Sequence, residues 1–400
     1  MNKQDRLNID TKCINNNSLN SSQEIQEFLE GYEGYQHLFL IGFESDIGAQ
    51  NCESRTGQEL GPNNFRALIE QLQFPSSNSF YDVDLSSLKL AIKDCGNIKP
   101  VISDIEATHQ KLESFIKQIR ELSKDSIIVV IGGTDDLNYP ALCGQSAYSE
   151  KLNLIRIDPS LDFEDKYRKQ FDDLEPQFLE HHQSHFKMTL GNEIILEKLG
   201  EVLFYGIQGF KIDQDHLDQI QTKLGGKFQY IYFDRDIRKT MFDIQNQEQN
   251  QCKASNILME NRILKESQQI ELIVNIDLTS IKAQNAPGVS EPCPAFGFNT
   301  QEIEDIAFNI GKQENLRIFT ISEYNPAIEK FQTGNVLCSI YQHLLLGIGE
   351  RLKNQGQVIV ANEYEDIGQQ ELEQDYFMQQ AGEHLQLQNF DFDPSLQDFK

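Results

Sequence analysis

The sequence predicts a three-layer α/β domain, in which helices cover both faces of a mainly parallel, eight-stranded sheet. Most of the strand-like segments are continuous apolar runs rather than alternating ones, which is typical of strands buried on both faces. Helical patterns lie between these runs, as expected for a sheet with helical crossovers. At 400 residues, the chain is long enough to bury such a core in one large domain.

Eight apolar runs supply the predicted strands, and each is bounded by turn-forming or charged residues. The runs are His37–Phe43, Leu88–Lys93, Ile127–Ile131, Leu152–Ile157, Val202–Ile207, Phe228–Phe233, Leu272–Ile276 and Ile318–Ile321.

Three helices have clear sequence signals. A Gly- and Pro-rich loop leads into a helix predicted over Asn63–Gln73. Ser103 and Glu106 have the spacing of a capping box, ahead of an apolar stripe that runs from Ile105 to Leu122. The last helix is predicted over Asn335–Leu352 from its own stripe. The side chains expected on its buried side are Val336, Leu337, Ile340, Tyr341, Leu344, Leu345 and Ile348.

Two segments differ in composition from the domain, which we place at residues 36–352. Residues 1–25 are rich in Asn, Ser and Gln without periodicity, which predicts a disordered arm. Residues 355–400 are rich in Gln and Glu, which predicts an acidic C-terminal extension. The Gln-rich stretch at 245–251 is too short to separate domains and is expected to be a surface loop.

Composition excludes several classes of partner. The chain has 62 acidic and 35 basic residues, so its net charge of -27 repels phosphate backbones and anionic lipids.

Seven scattered cysteines, an odd number without zinc-pair spacing, favour a reducing compartment. The N-terminus lacks a signal-peptide core, and no apolar run reaches the ~18 residues of a membrane span. These features predict a soluble cytoplasmic protein that binds neither nucleic acid nor membranes.

Carboxylates follow many of the predicted strands. Ligands of an open parallel sheet bind beyond the carboxyl ends of its strands, so the residues just after each strand are the candidates. Asp136, Asp234 and Asp236 are best explained as helix caps. Asp158, Asp162 and Asp277 would crowd together, and crowded carboxylates need a cation or a proton between them. The full set of candidates is Asp46, Thr134, Asp135, Asp136, Asp158, Asp162, Asp234, Asp236, Asp277 and Glu323.

Five motifs in this order resemble the ureohydrolase family of arginases, agmatinases and formimidoylglutamases, over about residues 36–352. I-G-F-E-S-D-I-G with R-T-G-Q-E-L-G-P-N-N-F-R resembles the family's first strand and loop, and G-G-T-D-D stands where the family has Gly-Gly-Asp-His-Ser. I-D-P-S-L-D is similar to Asp-Ala-His-x-Asp, and N-I-D-L-T-S-I with A-P-G-V-S-E-P is similar to Asp-x-Asp with its loop. S-E-Y-N-P resembles the segment that carries the substrate-binding glutamate. The resemblance implies an arginase-like fold.

The resemblance also implies a site for two manganese ions, held by two histidines and four aspartates around a shared hydroxide. Position by position, the first metal would be left with Asp135 in place of a histidine, together with Asp158, Asp162 and Asp277. Oxygen ligands of this kind suit one hard divalent cation, Mn²⁺, Mg²⁺ or Ca²⁺. The second metal would lose its ligands, because Ser160 and Thr279 stand at two of their positions. We therefore expect one divalent cation or none.

Three further residues or segments are open to two interpretations. Glu323 could bind a guanidinium, amidine or amine, or it could pair locally, and the sequence favours neither. In the run Glu180–His185, His181 and His185 would share a helix face as metal ligands do, but a polar, solvated helix explains them better. Among the cysteines, Cys293 lies nearest the predicted site.

Three hypotheses of function follow. The first is a ureohydrolase homologue that has lost the binuclear site and hydrolysis, a pseudoenzyme with a binding or structural role. The second is a hydrolase of C–N bonds in linear amidines or guanidines, which uses one metal held by carboxylates. The third is a subunit of a larger assembly, joined through the acidic extension and the N-terminal arm. The resemblance also implies a homo-oligomer, because family members commonly form trimers or hexamers.

Overall fold

A nine-stranded parallel sheet forms the centre of the computed structural model, which describes residues 9–10, 19–73, 75–165, 167–169, 177–239, 254–266, 268–293 and 296–359. Eight long strands and one two-residue edge strand make up this sheet. They are β1 (Ile9–Asp10), β2 (Gln36–Phe43), β3 (Leu90–Ile98), β4 (Ile127–Ile131), β5 (Leu152–Ile157), β6 (Leu199–Ile207), β7 (Phe228–Tyr232), β8 (Glu271–Asp277) and β9 (Leu316–Ser322).

The strands lie in the order β1-β3-β2-β4-β9-β8-β5-β6-β7, and every neighbouring pair is parallel. All eight predicted strands are confirmed, with ends that shift by a few residues. The β7 strand stops at Tyr232, because Phe233 begins a short π-helical turn to Ile237. The β3 strand runs on to Ile98 through the buried polar residues Asp94 and Asn97, which is why its apolar run ends early in the sequence.

Twelve helices occur among the described residues. They are α1 (Ser22–Gly31), α2 (Ile47–Asn51), α3 (Gly61–Leu72), α4 (Ile105–Leu122), α5 (Asn138–Ser146), α6 (His185–Gly191), α7 (Glu193–Lys198), α8 (Gln214–Leu224), α9 (Ala254–Met259), α10 (Arg262–Lys265), α11 (Thr300–Gly311) and α12 (Gln332–Asn354). Two small antiparallel pairs lie outside the main sheet, Ser77–Asn78 with Val83–Asp84 and Tyr167–Lys169 with Gln177–Leu179.

The apolar core lies in two layers, one on each face of the sheet. In β4, Ile127, Val129 and Ile131 pack with α3, α9, α10, α11 and α12, while Ile128 and Val130 pack on the other face with α1 and α4 to α8. Side chains alternate between the faces of a strand, so a run that is apolar throughout can supply both layers. The three-layer α/β prediction is confirmed, and every side chain expected on the buried side of α12 is buried.

Some local predictions were wrong. Ser103 does not cap α4, since it has a left-handed φ of 56°, and the cap is Asp104, whose carboxylate accepts a hydrogen bond from the amide of Ala107 at 2.8 Å. Leu122, at the end of the predicted stripe, is exposed because α4 ends there.

The boundary of the predicted N-terminal arm also differs. Residues 22–25 belong to α1, which begins with a capping box at Ser21 and buries Ile25 and Phe28. Residues 1–8 and 11–18, the predicted loop at 245–251 and the extension beyond residue 359 lie outside the described residues. No helix among the described residues is long and apolar enough to cross a membrane.

Candidate functional site

Four adjacent strands bring the predicted carboxylates together at the carboxyl edge of the sheet. In the order of these strands, β4 leads to Asp135, β9 to Glu323, β8 ends at Asp277, and β5 leads to Asp158 and Asp162. The strand ends are level, because Ile131 pairs with Ile321, Asp277 with Ser322 and Ile157 with Ile276. All five carboxylates are buried. The expectation that strand ends converge is therefore met for these residues.

Arg156, a residue of β5, inserts a cation among three of these carboxylates. Its Nη2 lies 2.5 Å from Oδ2 of Asp158 and 2.9 Å from Oδ2 of Asp135, and it also donates to Oδ2 of Asp162. The side chain is 1% exposed, and its guanidinium lies over the rings of Phe186 and Phe204. Nε and Nη1 have no hydrogen-bond partner among the described residues. Among the described residues, the Arg156 side chain thus makes polar contacts only through Nη2, which three carboxylates share.

The three carboxylates do not ionise alike. Burial raises the pKa of Asp135 and of Asp158 well above the usual range, against the pull of Arg156. Burial also opposes ionisation of Asp162, but Arg156 and His185 outweigh it, so the pKa of Asp162 is lowered. Asp162 is therefore the charged partner of Arg156, and Asp135 and Asp158 retain protons to higher pH.

Ser160 and Thr279 serve the carboxylates as hydrogen-bond donors. The Ser160 hydroxyl lies 3.0 Å from Asp158 and 2.6 Å from Asp162, within donating distance of both. The Thr279 hydroxyl donates to Asp277 at 2.6 Å, and its amide donates to the same carboxylate at 2.7 Å. Burial and the charge of Glu323 nevertheless raise the pKa of Asp277 to about 7. These two residues thus stabilise carboxylates without adding a cation.

Glu323 has several local partners. Its carboxylate accepts hydrogen bonds from the amide of Asp135 at 2.8 Å, from Gln58 at 3.3 Å and from the Ser290 hydroxyl. His182 adds an ion pair, with Nδ1 3.3 Å from Oε1. The local-pairing interpretation is therefore observed, and the binding of a cationic ligand by Glu323 stays a prediction.

The prediction of a solvated helix for the histidine run was wrong. His181, His182 and His185 are all buried, and residues 182–184 form one 3₁₀ turn before α6 that packs against α2 and the turn at Asp135–Leu137. Nε2 of His185 lies 3.2 Å from Oδ2 of Asp135. Burial and the charge of Arg156 lower the pKa of His185 to about 3, so its ring is neutral at neutral pH.

Two overlapping sets of side chains could hold a metal ion. The ligand atoms of Asp135, Asp158 and Asp277 all lie within 4.8 Å of one another, and the same is true of Asp135, Asp162 and His185. Both sets include carboxylates that contact Arg156. A metal would therefore compete with the guanidinium for the same oxygens.

A cavity of about 190 Å³ opens onto this cluster. The buried part of its lining, here called its floor, includes Asp135, Asp162, Asp277 and Glu323, and the lining is rich in carboxylates. The partly or fully exposed lining residues are Glu164, Gln183, Lys211, Asp213, His216 and Glu291. A cavity with this charge favours a small cationic ligand.

Comparison with known proteins agrees with the motifs. Residues 36–347 match the sequence pattern of the Arginase family. The chain belongs to the arginase family. A formimidoylglutamase of Paraburkholderia xenovorans (strain LB400) is 21% identical over 319 residues, which cover 73% of this chain and 81% of that protein.

Solved structures share the arginase-family fold. Trypanosoma cruzi formiminoglutamase with Mn²⁺ has a TM-score of 0.63 at 23% identity, covering 79% of this chain and 94% of its own. Formimidoylglutamase from Bacillus subtilis has a TM-score of 0.62 at 17% identity, covering 78% of this chain and 87% of its own.

The family resemblance implies a centre of two manganese ions, and three of the six positions that it assigns to ligands hold Asp135, Ser160 and Thr279 in this chain. Ser160 and Thr279 donate hydrogen bonds to the carboxylates beside them. The guanidinium of Arg156, with two nitrogens left without partners, lies among the remaining carboxylates.

Several important residues of the site were missed. Arg156 had a signal, since it is a charged residue inside a continuous apolar run. Asp136 is not a helix cap but a buried partner of His109, with Oδ2 and Nε2 2.6 Å apart. Cys293 is fully buried and donates to Gln208 at 3.0 Å, whereas among the described cysteines Cys52 has a lowered pKa. The pairing of Cys52 with distant histidines has no local sequence signal.

Proposed function

We propose that this arginase-family protein has replaced the binuclear manganese centre by an internal cation, Arg156, and binds a small ligand without hydrolysing it. The observation that carries the proposal is the contact of Nη2 with Asp135, Asp158 and Asp162, three of the four residues predicted as metal ligands. One internal cation supplies charge that a metal would otherwise supply.

A guanidinium can stabilise this cluster, but it cannot perform the chemistry of a metal. It remains protonated and donates hydrogen bonds in fixed directions. It has no open coordination position at which a water molecule could be polarised and deprotonated, which is how metal ions generate a nucleophile at neutral pH. Arg156 therefore supports binding and folding, and amidine hydrolysis is expected to be absent.

The ligand is expected to be a small cation of the guanidinium, amidine or amine class. The support is the acidic lining of the cavity, with Asp277 and Glu323 on its floor. Related proteins are named for action on a formimidoyl group, which is an amidine. Such a ligand would gain charge-assisted hydrogen bonds from either carboxylate.

A metal analysis and an activity assay of the full-length protein test this proposal. We expect no bound Mn²⁺ after purification in its presence, and no release of urea, ammonia or formamide from arginine, agmatine or formimidoylglutamate. Calorimetric titration with agmatine, which carries both a guanidinium and an amine, tests ligand binding separately. Hydrolysis at an ordinary enzymatic rate, above about 1 s⁻¹, would overturn the proposal.

A specific observation favours a second candidate, a hydrolase with one divalent cation. Oxygens of Asp135, Asp158 and Asp277 lie close enough together to share one ion, and Asp277 makes its hydrogen bonds to Thr279 rather than to Arg156. In this case Arg156 would move away when the metal binds. The purified protein would then hold about one ion per chain, and Asp277→Asn would abolish its binding. An ion-free protein that does not respond to added Mn²⁺, Mg²⁺ or Ca²⁺ contradicts this candidate.

A further inference from the structure

Four polar side chains form a line of contacts next to the cavity. The Cys52 sulfur lies 3.2 Å from the Ser54 hydroxyl, and that hydroxyl lies 3.3 Å from Nε2 of His182. Nδ1 of the same imidazole lies 3.3 Å from Oε1 of Glu323. The cysteine, serine, histidine and glutamate therefore follow the order of a nucleophile, a bridging hydroxyl, an imidazole and the carboxylate that orients the imidazole.

The two imidazoles beside Cys52 favour its thiolate. The carboxylate of Glu323 outweighs burial and raises the pKa of His182 well above its usual range, which makes His182 an imidazolium. Nε2 of His181 donates to the carbonyl of Asp165 at 2.8 Å, because a carbonyl can only accept. Nδ1 of His181 is buried and has no hydrogen-bond partner among the described residues, so it is available to the Cys52 thiol.

Other groups near Cys52 favour its neutral thiol. The carbonyl oxygens of Gly48 and Ala49 lie 3.5 and 3.6 Å from the Cys52 sulfur and accept a hydrogen bond only from the neutral thiol. Burial likewise raises the pKa of Cys52, but the neighbouring imidazoles of His181 and His182 outweigh it and bring the pKa to about 6. The imidazoles thus decide the protonation state.

Access separates Cys52 from the other described cysteines. Cys52 is partly exposed, whereas Cys95, Cys143, Cys293 and Cys338 are buried. Burial raises the pKa of Cys143 and of Cys338 to about 12. Neither Cys52 nor Ser54 lines the cavity, and His182 lies between them and Glu323. Cys52 is thus the described cysteine with the greatest exposure, and it lies outside the lining of the cavity.

We propose that Cys52 is a nucleophilic thiolate and a site of reversible thiolation by small disulfides, positioned by His182, Ser54 and Glu323. The sulfur of Cys52 attacks one sulfur of the disulfide, a new S–S bond forms, and the original S–S bond breaks. The departing thiolate takes a proton from solvent. The protein thiol is oxidised and half of the disulfide is reduced, so no further oxidant is required.

Oxidised glutathione and intact-mass spectrometry test this proposal on the full-length protein. After brief exposure at pH 6, we expect peptide mapping to find glutathione on Cys52 and on none of the other described cysteines, and a reducing agent to remove it. Cys293→Ser, at a buried thiol, should leave this product unchanged, and Cys52→Ser should abolish it. This result does not depend on Arg156, so it is separable from the absence of hydrolysis.

The contribution of the imidazole is tested by rate. His182→Gln should slow thiolation at pH 6 by about tenfold and move the midpoint of its pH profile upward, because the imidazolium no longer stabilises the thiolate. His343→Gln, at a partly exposed histidine of α12 whose Nδ1 donates to the carbonyl of Ser339 at 2.8 Å, should leave the rate unchanged. Circular dichroism verifies folding of each variant. If Cys52 of the unsubstituted protein reacts no faster than the buried thiols, or if folded His182→Gln reacts as fast as the parent, the proposal is overturned.

Discussion

Nη2 of Arg156 lies 2.5 Å from Oδ2 of Asp158, two residues further along the chain at the end of the same strand. Side chains two apart on a strand point to the same face, so an arginine at this position can reach a carboxylate that follows the strand. The sequence I-R-I-D thus carries both the cation and one of its acceptors. A buried charge is tolerated only when paired, and this local pairing explains how an arginine is accommodated in a central strand.

Without the guanidinium of Arg156, the carboxylates that it contacts should bind a metal ion. In Arg156→Met, three buried carboxylates lose their counter-ion, and we expect a loss of about 3–5 kcal/mol in the free energy of unfolding. Mn²⁺ should bind the freed oxygens and restore part of that loss, whereas the melting temperature of the unsubstituted protein should not respond. Thermal unfolding with and without Mn²⁺ measures both effects.

Arg120 provides the matched control for this experiment. It is equally buried, but it donates to Gln145 and to carbonyl oxygens, including those of Ser126 and Arg317, both at 2.8 Å. Arg120→Met should also destabilise the protein, yet Mn²⁺ should not restore it. Equal responses of the two variants to Mn²⁺ would contradict a metal-like role for Arg156.

Replacement of Asp162 or Asp277 by asparagine should change the free energy of unfolding in opposite directions. Asp162→Asn removes the ionised partner of Arg156 and should cost about 3 kcal/mol at pH 8. The left-handed φ of 44° at Asp162 does not explain such a loss, because asparagine tolerates this conformation.

Asp277→Asn should instead stabilise the protein at pH 8. Its folded pKa of about 7 lies above the value of the unfolded chain, so the folded state binds more protons and ionisation is unfavourable there. The gain should shrink as the pH falls through 7 and vanish below about 4. Urea unfolding across this range measures it, and a loss of stability at pH 8 would show that Asp277 has a cationic partner.

The fold was predictable because its signals are local. Apolar runs such as Ile127–Ile131 serve both faces of the sheet, and the stripe of α12 is long enough to identify. Element ends were less certain, since β3 continues through Asp94 and Asn97 and α4 is capped by Asp104 instead of Ser103. Polar residues inside strands and competing caps depend on partners distant in sequence.

The position of the site could be predicted from the sequence, but the roles of several of its residues could not. Asp158 and Asp277 follow strands, and parallel strands end at one edge, so their convergence follows from topology. The role of Arg156 depends on the reach of its side chain, and the burial of His182 depends on the packing of its turn against α2 and the turn at Asp135–Leu137. Neither can be deduced from spacing. The oligomeric state and the roles of the arm and the C-terminal extension stay predictions.

Glu59 should make the free energy of unfolding depend on pH. Burial, followed by the neighbouring carboxylate of Asp46, raises the pKa of Glu59 to about 7. The folded state therefore binds more protons than the unfolded state between about pH 4.5 and 7, and stability from this group falls as the pH rises through that range.

Glu59→Gln keeps the shape of the protonated side chain and removes its ionisation. We expect a higher melting temperature than that of the parent at pH 8 and no difference near pH 5. The same substitution at the exposed Glu53 serves as the control and should give no comparable pH dependence. A constant difference between Glu59→Gln and the parent at all pH values would contradict the raised pKa of Glu59.

The close crossing of α11 and α12 should be intolerant of a single methyl group. A Cβ built at Gly347 of α12 would lie 2.0 Å from the carbonyl oxygen of Phe308 in α11, a backbone atom that cannot move alone. Gly347→Ala should therefore cost about 1–3 kcal/mol in urea unfolding, since overpacking forces the two helices apart. Gly191 at the end of α6 has no atom within 4 Å of the corresponding position, so Gly191→Ala should be neutral or stabilise by up to about 1 kcal/mol. Equal effects of the two substitutions would mean that α11 and α12 do not pack this closely.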